Sequence, residues 1–337
     1  MKKHHITPPE KGALKEIAAD LFWARFPLPF RLNHINLYML DTEDGWVLID
    51  TGVDSPDTAS YWQALLDGPL AGQRIDKLIA THHHVDHIGY AGPLAALTGA
   101  RFYMSRAEYD HASWLYNLST EAFNLKMAET YQRYGMAAEH IEHVRTGGSR
   151  YRQYVSALPE VNILEAGDKI HTKEGCFEVR LDAGHSDHQI SLIDKERGLF
   201  IAVDYLLPRI SPNISADIRN PDTDRLSSYL DYLSEMRDLP DGLQILPGHD
   251  WPFSGGGARA AELIAHHEMR LNQLLEAAQA KALHVADAMD VLFGRVFGPH
   301  ELYFASGEAR AHLTHLMHKK MMKREQRADL TEYFHLV

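Results

Sequence analysis

Residues 82–87 combine histidine and aspartate in a spacing that suits metal binding. The segment Thr81–Tyr90 reads THHHVDHIGY, which gives the pattern His82-x-His84-x-Asp86-His87. On a loop that leaves a strand, the first two imidazoles can turn to one point, and the aspartate and last histidine can reach a second point nearby. Imidazole nitrogen and carboxylate oxygen bind zinc and related divalent metals at about 2.0–2.2 Å. The segment therefore predicts metal ligands.

Three further candidates follow predicted strands later in the chain. The chain has 22 histidines, yet an accidental match to the first motif is expected at only about one in a hundred or less. His185 follows a strand in LDAGHSDHQ, Asp204 ends LFIAVD, and His249 ends LQILPGHD. Strand ends are where sheets covered by helices assemble sites from distant segments. Together, five histidines and two aspartates suffice for two metals with open coordination positions.

The elements around these residues alternate between strand and helix. Apolar, strand-like runs occur at 34–40, 46–50, 77–81 and 100–105, with helical patterns at 58–68 and 92–99. This order, β-β-α-β-α-β, indicates a sheet covered by helices. Further strand-like runs at 161–164, 168–172, 176–182, 189–196 and 199–204 carry the later candidates.

Residues 106–158 interrupt the strand-rich region with a long, aromatic-rich helical pattern, and we interpret them as an insertion. Its large side chains are expected to pack the insertion on the main domain; the alternative is a lid that walls a substrate pocket. These side chains are Trp114, Tyr116, Phe123, Met127 and Tyr131.

The last quarter of the chain is predicted to be helical from about 258 to 322. The stretch SGGG at 254–257 marks a flexible joint. We therefore divide the chain into a catalytic domain at 1–255, which includes the insertion, and a helical C-terminal module at 256–337. A late helix is expected over 309–327.

Composition restricts the expected location and partners of the protein. No apolar run reaches the roughly 18 residues that span a bilayer, and the N-terminal residues 1–12 are not expected to act as an export signal. Cys176 is the only cysteine, so no intrachain disulfide forms and a cytoplasmic location is expected. A net charge of −12 argues against broad nucleic-acid binding. We expect a small acyl substrate as the partner and no association with a membrane. Whether the protein forms a homodimer is left open.

From Asn33 to Asp250 the chain resembles the metallo-β-lactamase-fold hydrolases. The resemblance includes every metal motif in order, and LIDTG (48–52) looks like the family's turn behind the site. It implies an α/β fold, the αββα sandwich, here with the helical insertion and a small, winged-helix-like C-terminal module. It also implies two divalent metal ions, with zinc preferred and manganese or iron accepted by the same ligands.

The resemblance assigns a role to each candidate. His82, His84 and His185 would hold the first metal; Asp86, His87 and His249 would hold the second; and Asp204 would bridge both. Two such ions lower the pKa of a shared water, which becomes the nucleophilic hydroxide. Asp86 would also orient this nucleophile as a catalytic residue, and His188 is a candidate for a hydrogen bond to substrate. Its alternative is a structural histidine.

Two positions depart from the family's patterns. Asp250 follows the last ligand histidine, where most relatives have glycine. Leu207 stands where the acyl-homoserine-lactone lactonases have tyrosine, which weakens that assignment.

Two reaction classes compete. THHHVDHIG resembles the thioesterase branch that contains glyoxalase II, so the first hypothesis is a hydrolase of small esters, thioesters or lactones. The tail resembles the lactamase-β-like subgroup, which includes endoribonucleases, so the alternative is a metal-dependent endoribonuclease. A basic run could then meet phosphate; its members are Lys319, Lys320, Lys323, Arg324 and Arg327.

Overall fold

Two seven-stranded sheets form the centre of the protein. The computed structural model describes residues 2–3, 7–149, 151–294 and 298–337. The first sheet has the order β2-β3-β4-β5-β6-β7-β8. Its strands are β2 (Lys15–Ala18), β3 (Leu21–Pro27), β4 (His34–Thr42), β5 (Gly45–Ile49), β6 (Ile75–Ile79), β7 (Arg101–Met104) and β8 (Val161–Ile163). Pairing is antiparallel from β2 to β5 and parallel from β5 to β8.

The second sheet has the order β1-β14-β13-β12-β11-β10-β9. Its strands are β1 (Lys2–Lys3), β9 (Lys169–His171), β10 (Cys176–Asp182), β11 (Gln189–Asp194), β12 (Leu199–Val203), β13 (Gln244–Pro247) and β14 (Phe253–Ser254). Only the β12–β13 pair is parallel.

Helices cover the outer faces of both sheets and build the insertion and the tail. They are α1 (Pro56–Asp67), α2 (Val85–Ile88), α3 (Ala91–Thr98), α4 (Arg106–Asn117), α5 (Thr120–Arg133), α6 (Ala138–Gly147), α7 (Tyr151–Tyr154), α8 (Arg225–Met236), α9 (Gly256–Ala278), α10 (Val285–Phe293) and α11 (Pro299–His318). The tail ends in a hairpin of β15 (Met322–Gln326) and β16 (Glu332–Leu336).

Strand β5 shows how the sandwich is layered. Val47 and Ile49 pack in the core between the two sheets, whereas Trp46 and Leu48 pack beneath the helices of the first sheet. Because both faces are buried, the strand is apolar at consecutive positions instead of alternating. Tyr205 and the apolar face of α8 form the matching outer core of the second sheet. The αββα sandwich expected from the sequence is confirmed.

The insertion packs differently from the prediction. Its helices α4 to α7 confirm its helical character, and Tyr116 contacts the core of the first sheet. Met127 and Tyr131, however, are buried in one cluster with Leu274, Leu313 and other side chains of the C-terminal module. The insertion therefore bridges the module and the catalytic domain, and the expectation that all its large side chains pack on the main domain was wrong.

The C-terminal module is helical, but its end differs from the expectation. Helix α11 stops at His318, and Lys320 has a positive φ of 59°, so the predicted helix over 309–327 was too long. Residues 322–326 instead pair with 332–336. The predicted boundary at 255 coincides with the start of α9, yet the first half of that helix packs on α8.

Two further features were outside the expectations. Strands β2 and β3 precede the first strand that the sequence predicted. Cys176 is half-buried and free. Among the residues that the structure describes, no helix is long and apolar enough to cross a membrane.

Candidate metal centre

The candidate ligands meet where strands of both sheets end. The 82–87 segment follows β6, His185 follows β10, Asp204 follows β12, and His249 follows β13. The two sheets face each other, and these strand ends lie close together. The fold therefore brings seven residues from four separate segments of the chain to one place.

The first group consists of His82, His84, His185 and Asp204. Their candidate ligand atoms lie within 4.8 Å of one another. Nε2 of His82 and Nδ1 of His84 are 2.9 Å apart, and Nε2 of His185 is 3.7 Å from Oδ2 of Asp204. Three imidazole nitrogens and one carboxylate oxygen around one point form a donor set suited to zinc.

The second group consists of Asp86, His87 and His249, whose candidate ligand atoms also lie within 4.8 Å of one another. Nε2 of His249 lies 3.5 Å from Oδ2 of Asp86. Oδ2 of Asp204 lies 3.4 Å from Nε2 of His87 and 3.4 Å from Nε2 of His249. Asp204 therefore contacts both groups and is placed to be shared between two ions.

Each of three histidines is held through Nδ1. His87 contacts Oδ2 of Asp50 at 2.8 Å. His185 donates to the backbone carbonyl of Asn213 at 2.8 Å, and His249 donates to the carbonyl of His34 at 2.8 Å. When Nδ1 carries the proton, the lone pair remains on Nε2, which in all three points into the cluster.

Several buried polar atoms of the cluster lack a hydrogen-bond partner. They include Nε2 of His87, Nε2 of His185 and Oδ1 of Asp204. Buried polar atoms are normally satisfied, because desolvating one without a partner costs about 1–3 kcal/mol. Unpaired lone pairs that converge from several strands fit bound metal ions, so the residues present fit the group that the fold implies.

The electrostatics divide the histidines into two kinds. Burial, together with neighbouring imidazoles, lowers the pKa of His82 and His84 well below the ordinary value. Burial also opposes the charge on His87, but the carboxylates of Asp204, Asp50 and Asp86 outweigh it and raise the pKa of His87 well above the ordinary value. The first group thus presents neutral ligands, and the second attracts positive charge.

The backbone is strained beside the ligands. Val203 has a φ of 48° immediately before Asp204, and Asp50 has a φ of 66°. Asp250, which follows His249, has a φ of 69°, the left-handed conformation that glycine adopts without cost and aspartate tolerates. This conformation accommodates an aspartate at the position where the family resemblance predicts glycine.

Glu108 on α4 is a residue of the site that the sequence reasoning missed. Its Oε2 accepts the backbone N–H of His83 at 3.0 Å and contacts Nδ1 of His83 at 2.6 Å, and its Oε1 accepts the N–H of His188 at 2.6 Å. Burial opposes its charge, but His83 outweighs burial and lowers the pKa of Glu108 to about 2. The insertion thus joins the two ligand loops, and His83 points away from the cluster.

A charged cluster lies beside Glu108. His111 stacks on His83 with ring centroids 3.7 Å apart, and its Nδ1 contacts Asp187 at 3.1 Å. His111, Asp187 and Asp217 are close enough to hold a cation, but the guanidinium groups of Arg219 and Arg225 bond to both carboxylates. Two arginines already fill this position, so we interpret it as an ion-pair network.

Other predicted site residues lie outside the cluster. The side chain of His188 is exposed, while its carbonyl accepts a hydrogen bond from Ser105 at 2.7 Å; its catalytic role stays a prediction. Arg209, in the loop that follows Asp204, pairs with Asp250 at 2.6 Å. The loop 208–215 reaches the site through the carbonyl of Asn213.

The basic run of the tail is not one helix face. Arg324 bonds to Asp222 at 2.5 and 3.0 Å, and Arg327 lies 3.5 Å above the ring of Tyr333. The three lysines are exposed. Two of the five residues predicted to bind phosphate therefore make contacts with other residues of this chain instead.

Comparison with known proteins agrees with this geometry. The family model of the metallo-beta-lactamase superfamily matches residues 31–249. The chain belongs to this superfamily. A second model, the metallo-beta-lactamase-like C-terminal domain, matches residues 271–336. Superfamily members typically bind divalent metal ions, and the resemblance stated from the sequence is confirmed.

Similar proteins extend over most of the chain. The human acyl-coenzyme A thioesterase MBLAC2 is 26% identical over 267 residues, which cover 76% of this chain and 86% of that protein. The probable metallo-hydrolase YqjP of Bacillus subtilis (strain 168) is 22% identical over 297 residues, 87% of this chain and 91% of that protein. The protein is thus a metallo-beta-lactamase superfamily hydrolase.

Two solved structures share the complete architecture. A beta-lactamase domain protein from Burkholderia ambifaria superimposes with a TM-score of 0.87 at 29% identity, covering 100% of this chain and 99% of that one. The metallo-beta-lactamase family protein TTHA1429 from Thermus thermophilus gives 0.79 at 24% identity, with 96% and 100% covered. At that identity the second likeness shows the fold alone.

Proposed function

We propose that this protein uses two divalent metal ions, zinc in the first instance, to hydrolyse a small ester, thioester or lactone, with acyl-coenzyme A thioesters as the first substrate class. One observation carries the proposal. Oδ2 of Asp204 lies 3.4 Å from His87, 3.4 Å from His249 and 3.7 Å from His185, so a single carboxylate contacts both ligand groups.

The chemistry that a pair of divalent ions supplies is a water of lowered pKa and polarisation of the substrate carbonyl oxygen. The chain's own contribution is first to hold His82, His84 and His185 neutral by burial. It also fixes the rings of His87, His185 and His249 through the partners of their Nδ1 atoms. Fixed donors need no reorganisation during the reaction. No serine or cysteine nucleophile is required.

In this proposal Asp86 both binds the second ion and transfers a proton. Its side chain is half-buried, and its Oδ2 lies 3.5 Å from Nε2 of His249. It accepts the proton of the attacking water while the water oxygen bonds to the carbonyl carbon. The carbon–sulfur bond then breaks, and the proton passes to the leaving thiolate.

The thioester preference is supported by the human relative, whose name describes an acyl-coenzyme A thioesterase. The sequence THHHVDHIG, which resembles the thioesterase branch, also supports hydrolysis of a thioester bond. The cytoplasmic location, the small-molecule partner and the substrate contact of His188 stay predictions.

A substrate panel tests the proposal. Protein of measured metal content is incubated with acyl-coenzyme A, acyl-glutathione, a lactone and RNA. We expect thiol release from the thioesters in proportion to bound metal, loss of turnover after chelation, and recovery with added zinc. Hydrolysis confined to RNA would replace this function with the endoribonuclease alternative.

A further inference from the structure

An irregular segment connects the ligand His185 with the C-terminal module. Residues 211–217 form neither helix nor strand, yet the carbonyl of Asn213 accepts the Nδ1 proton of His185 at 2.8 Å. Such a segment has no helix or strand hydrogen bonds of its own to fix its position. The direction of the His185 ring therefore depends on what holds this segment in place.

Helix α11 of the module supplies these contacts. The N–H of Ala216 donates to the carbonyl of Gly307 at 3.0 Å. The side-chain amide of Asn213 donates to Oε2 of Glu308 at 3.1 Å and to the carbonyl of Phe304 at 3.3 Å. Three hydrogen bonds thus hold the segment against residues 304–308 of α11, and two of them come from Asn213, whose carbonyl orients the metal ligand.

The approach between segment and helix is unusually close. A Cβ atom on Gly307 would lie 2.6 Å from Oγ of Ser215 and 2.9 Å from its Cβ. Glycine is the residue that allows two backbones to come this near. Glu308, next along the helix, can therefore reach Asn213.

The position of Glu308 is itself determined. Its side chain is buried, and its second oxygen bonds to Arg270 on α9. A buried carboxylate is tolerated when it is paired and hydrogen-bonded. A continuous series of polar contacts thus runs from Arg270 through Glu308 and Asn213 to His185.

We propose that Asn213 and Glu308 are positioning residues through which the C-terminal module orients the metal ligand His185. The module is in this way part of the metal centre, although none of its residues is a ligand. The inference rests on the metal-binding part of the proposed function. Hydrogen-bond partners of ligand histidines typically change metal affinity or activity by about 10–100-fold when they are altered.

Substitutions of Asn213 test this proposal without removing the carbonyl itself. Asn213→Asp keeps the acceptor for Ser215, loses both donated hydrogen bonds and places a negative charge against Glu308; Asn213→Ala only loses the side chain. The matched control is Asp222→Asn, which breaks contacts of the same interface with Arg310 and Arg324 but has no contact with the 211–217 segment.

Zinc affinity is measured in the full chain by competition with a chromophoric chelator, and the absorption spectrum of the cobalt-loaded protein is recorded. We expect the dissociation constant of one ion to rise about 10–100-fold in Asn213→Asp and less in Asn213→Ala, with a changed cobalt spectrum. The second ion and the control should match the unaltered protein, while thermal melting monitors folding.

Unchanged affinity in both Asn213 variants overturns the proposal, as does an equal loss of affinity in Asp222→Asn, which would show general loosening of the interface. An unaltered protein that holds no divalent ion against the chelator contradicts the proposed function itself. Weakening of a single site in the Asn213 variants alone supports the proposal.

Discussion

Oδ2 of Asp50 lies 2.8 Å from Nδ1 of His87, and Oδ1 of the same carboxylate accepts the backbone N–H of Thr81 at 2.8 Å. One buried side chain thus ties the end of β5 to the start of the ligand segment and also orients a ligand. Since Nδ1 is engaged, Nε2 of His87 faces Asp204. This is the carboxylate–histidine arrangement that raises the basicity of metal-binding imidazoles.

Replacing Asp50 with asparagine should weaken metal binding. Asn keeps the acceptor for Thr81 but removes the charge beside His87, so we expect a roughly 10–100-fold loss of zinc affinity or kcat/KM. Asp41→Asn, which breaks an ion pair with Lys173 on the edge of the sandwich, is the control and should leave both values unchanged. Equal zinc affinity in Asp50→Asn and the unaltered protein would contradict the prediction.

Asp204→Ala should abolish hydrolysis while the protein stays folded. The variant loses the carboxylate shared by both groups, so we expect kcat/KM to fall roughly a thousandfold or more, equivalent to several kcal/mol. Circular dichroism checks the fold, and Asp76→Ala, another buried carboxylate, which bonds to Lys77 and Arg101, is the comparison. Retained turnover in metal-loaded Asp204→Ala protein would rule out the two-metal mechanism.

A single methyl group at Gly248 should disturb the same carboxylate. An added Cβ would lie 2.3 Å from Oδ1 of Asp204, so the carboxylate or the loop carrying His249 must move. We expect Gly248→Ala to lose bound metal and destabilise the protein by about 1–3 kcal/mol. The control is Gly242→Ala, where an added Cβ meets nothing within 4 Å, and this variant should retain its full metal content. Elemental analysis measures the metal content of both variants. Equal metal contents in Gly248→Ala and Gly242→Ala would contradict this explanation.

Two histidines in the C-terminal module should make stability depend on pH. Nδ1 of His267 lies 3.2 Å from Nε2 of His312. Burial, helped by nearby positive groups, lowers the pKa of His267 to about 2 and that of His312 to about 3. The unfolded chain takes up protons below about pH 6.5 while the folded protein does not, so the free energy of unfolding falls as pH drops from about 6.5 towards 3.

The variant His312→Gln should flatten this dependence. Removal of one group lowers the slope by up to about 1.4 kcal/mol per pH unit, as measured by urea unfolding of metal-free protein at several pH values. Contributions of the metal ligands are common to both proteins and cancel. The control His143→Gln, at an exposed position on α6, should keep the slope of the unaltered protein. An equal decrease of the slope in His143→Gln would show that the effect is not specific to His312.

The seven candidate ligands could be selected from the sequence because each follows a strand and four lie within one short segment. Glu108 could not be selected in this way. It is a single acidic residue on an ordinary helical pattern, and its contacts with His83 and His188 arise only when the insertion folds back over the ligand loops. Asn213 gave no signal either, since its carbonyl and not its side chain contacts His185.

The hairpin at the end of the chain shows a different limit. Residues 322–326, MKREQ, have high helix propensity, so extending α11 was reasonable. Pairing with 332–336 and the ion pair between Arg324 and Asp222 override that preference. The packing of Met127 and Tyr131 was mispredicted for a similar reason, because their partners lie in the distant module.

The division of the ligands between the two sheets has a consequence for biosynthesis. His82, His84, Asp86 and His87 leave the ribosome on the first half of the chain, and the second sheet, with His249, is completed much later. A nascent chain therefore carries only an incomplete set of donors, on a segment whose orienting partners are still absent. The complete set of proposed ligands therefore forms only when both sheets have folded, so we expect tight metal binding to follow the folding of the two sheets.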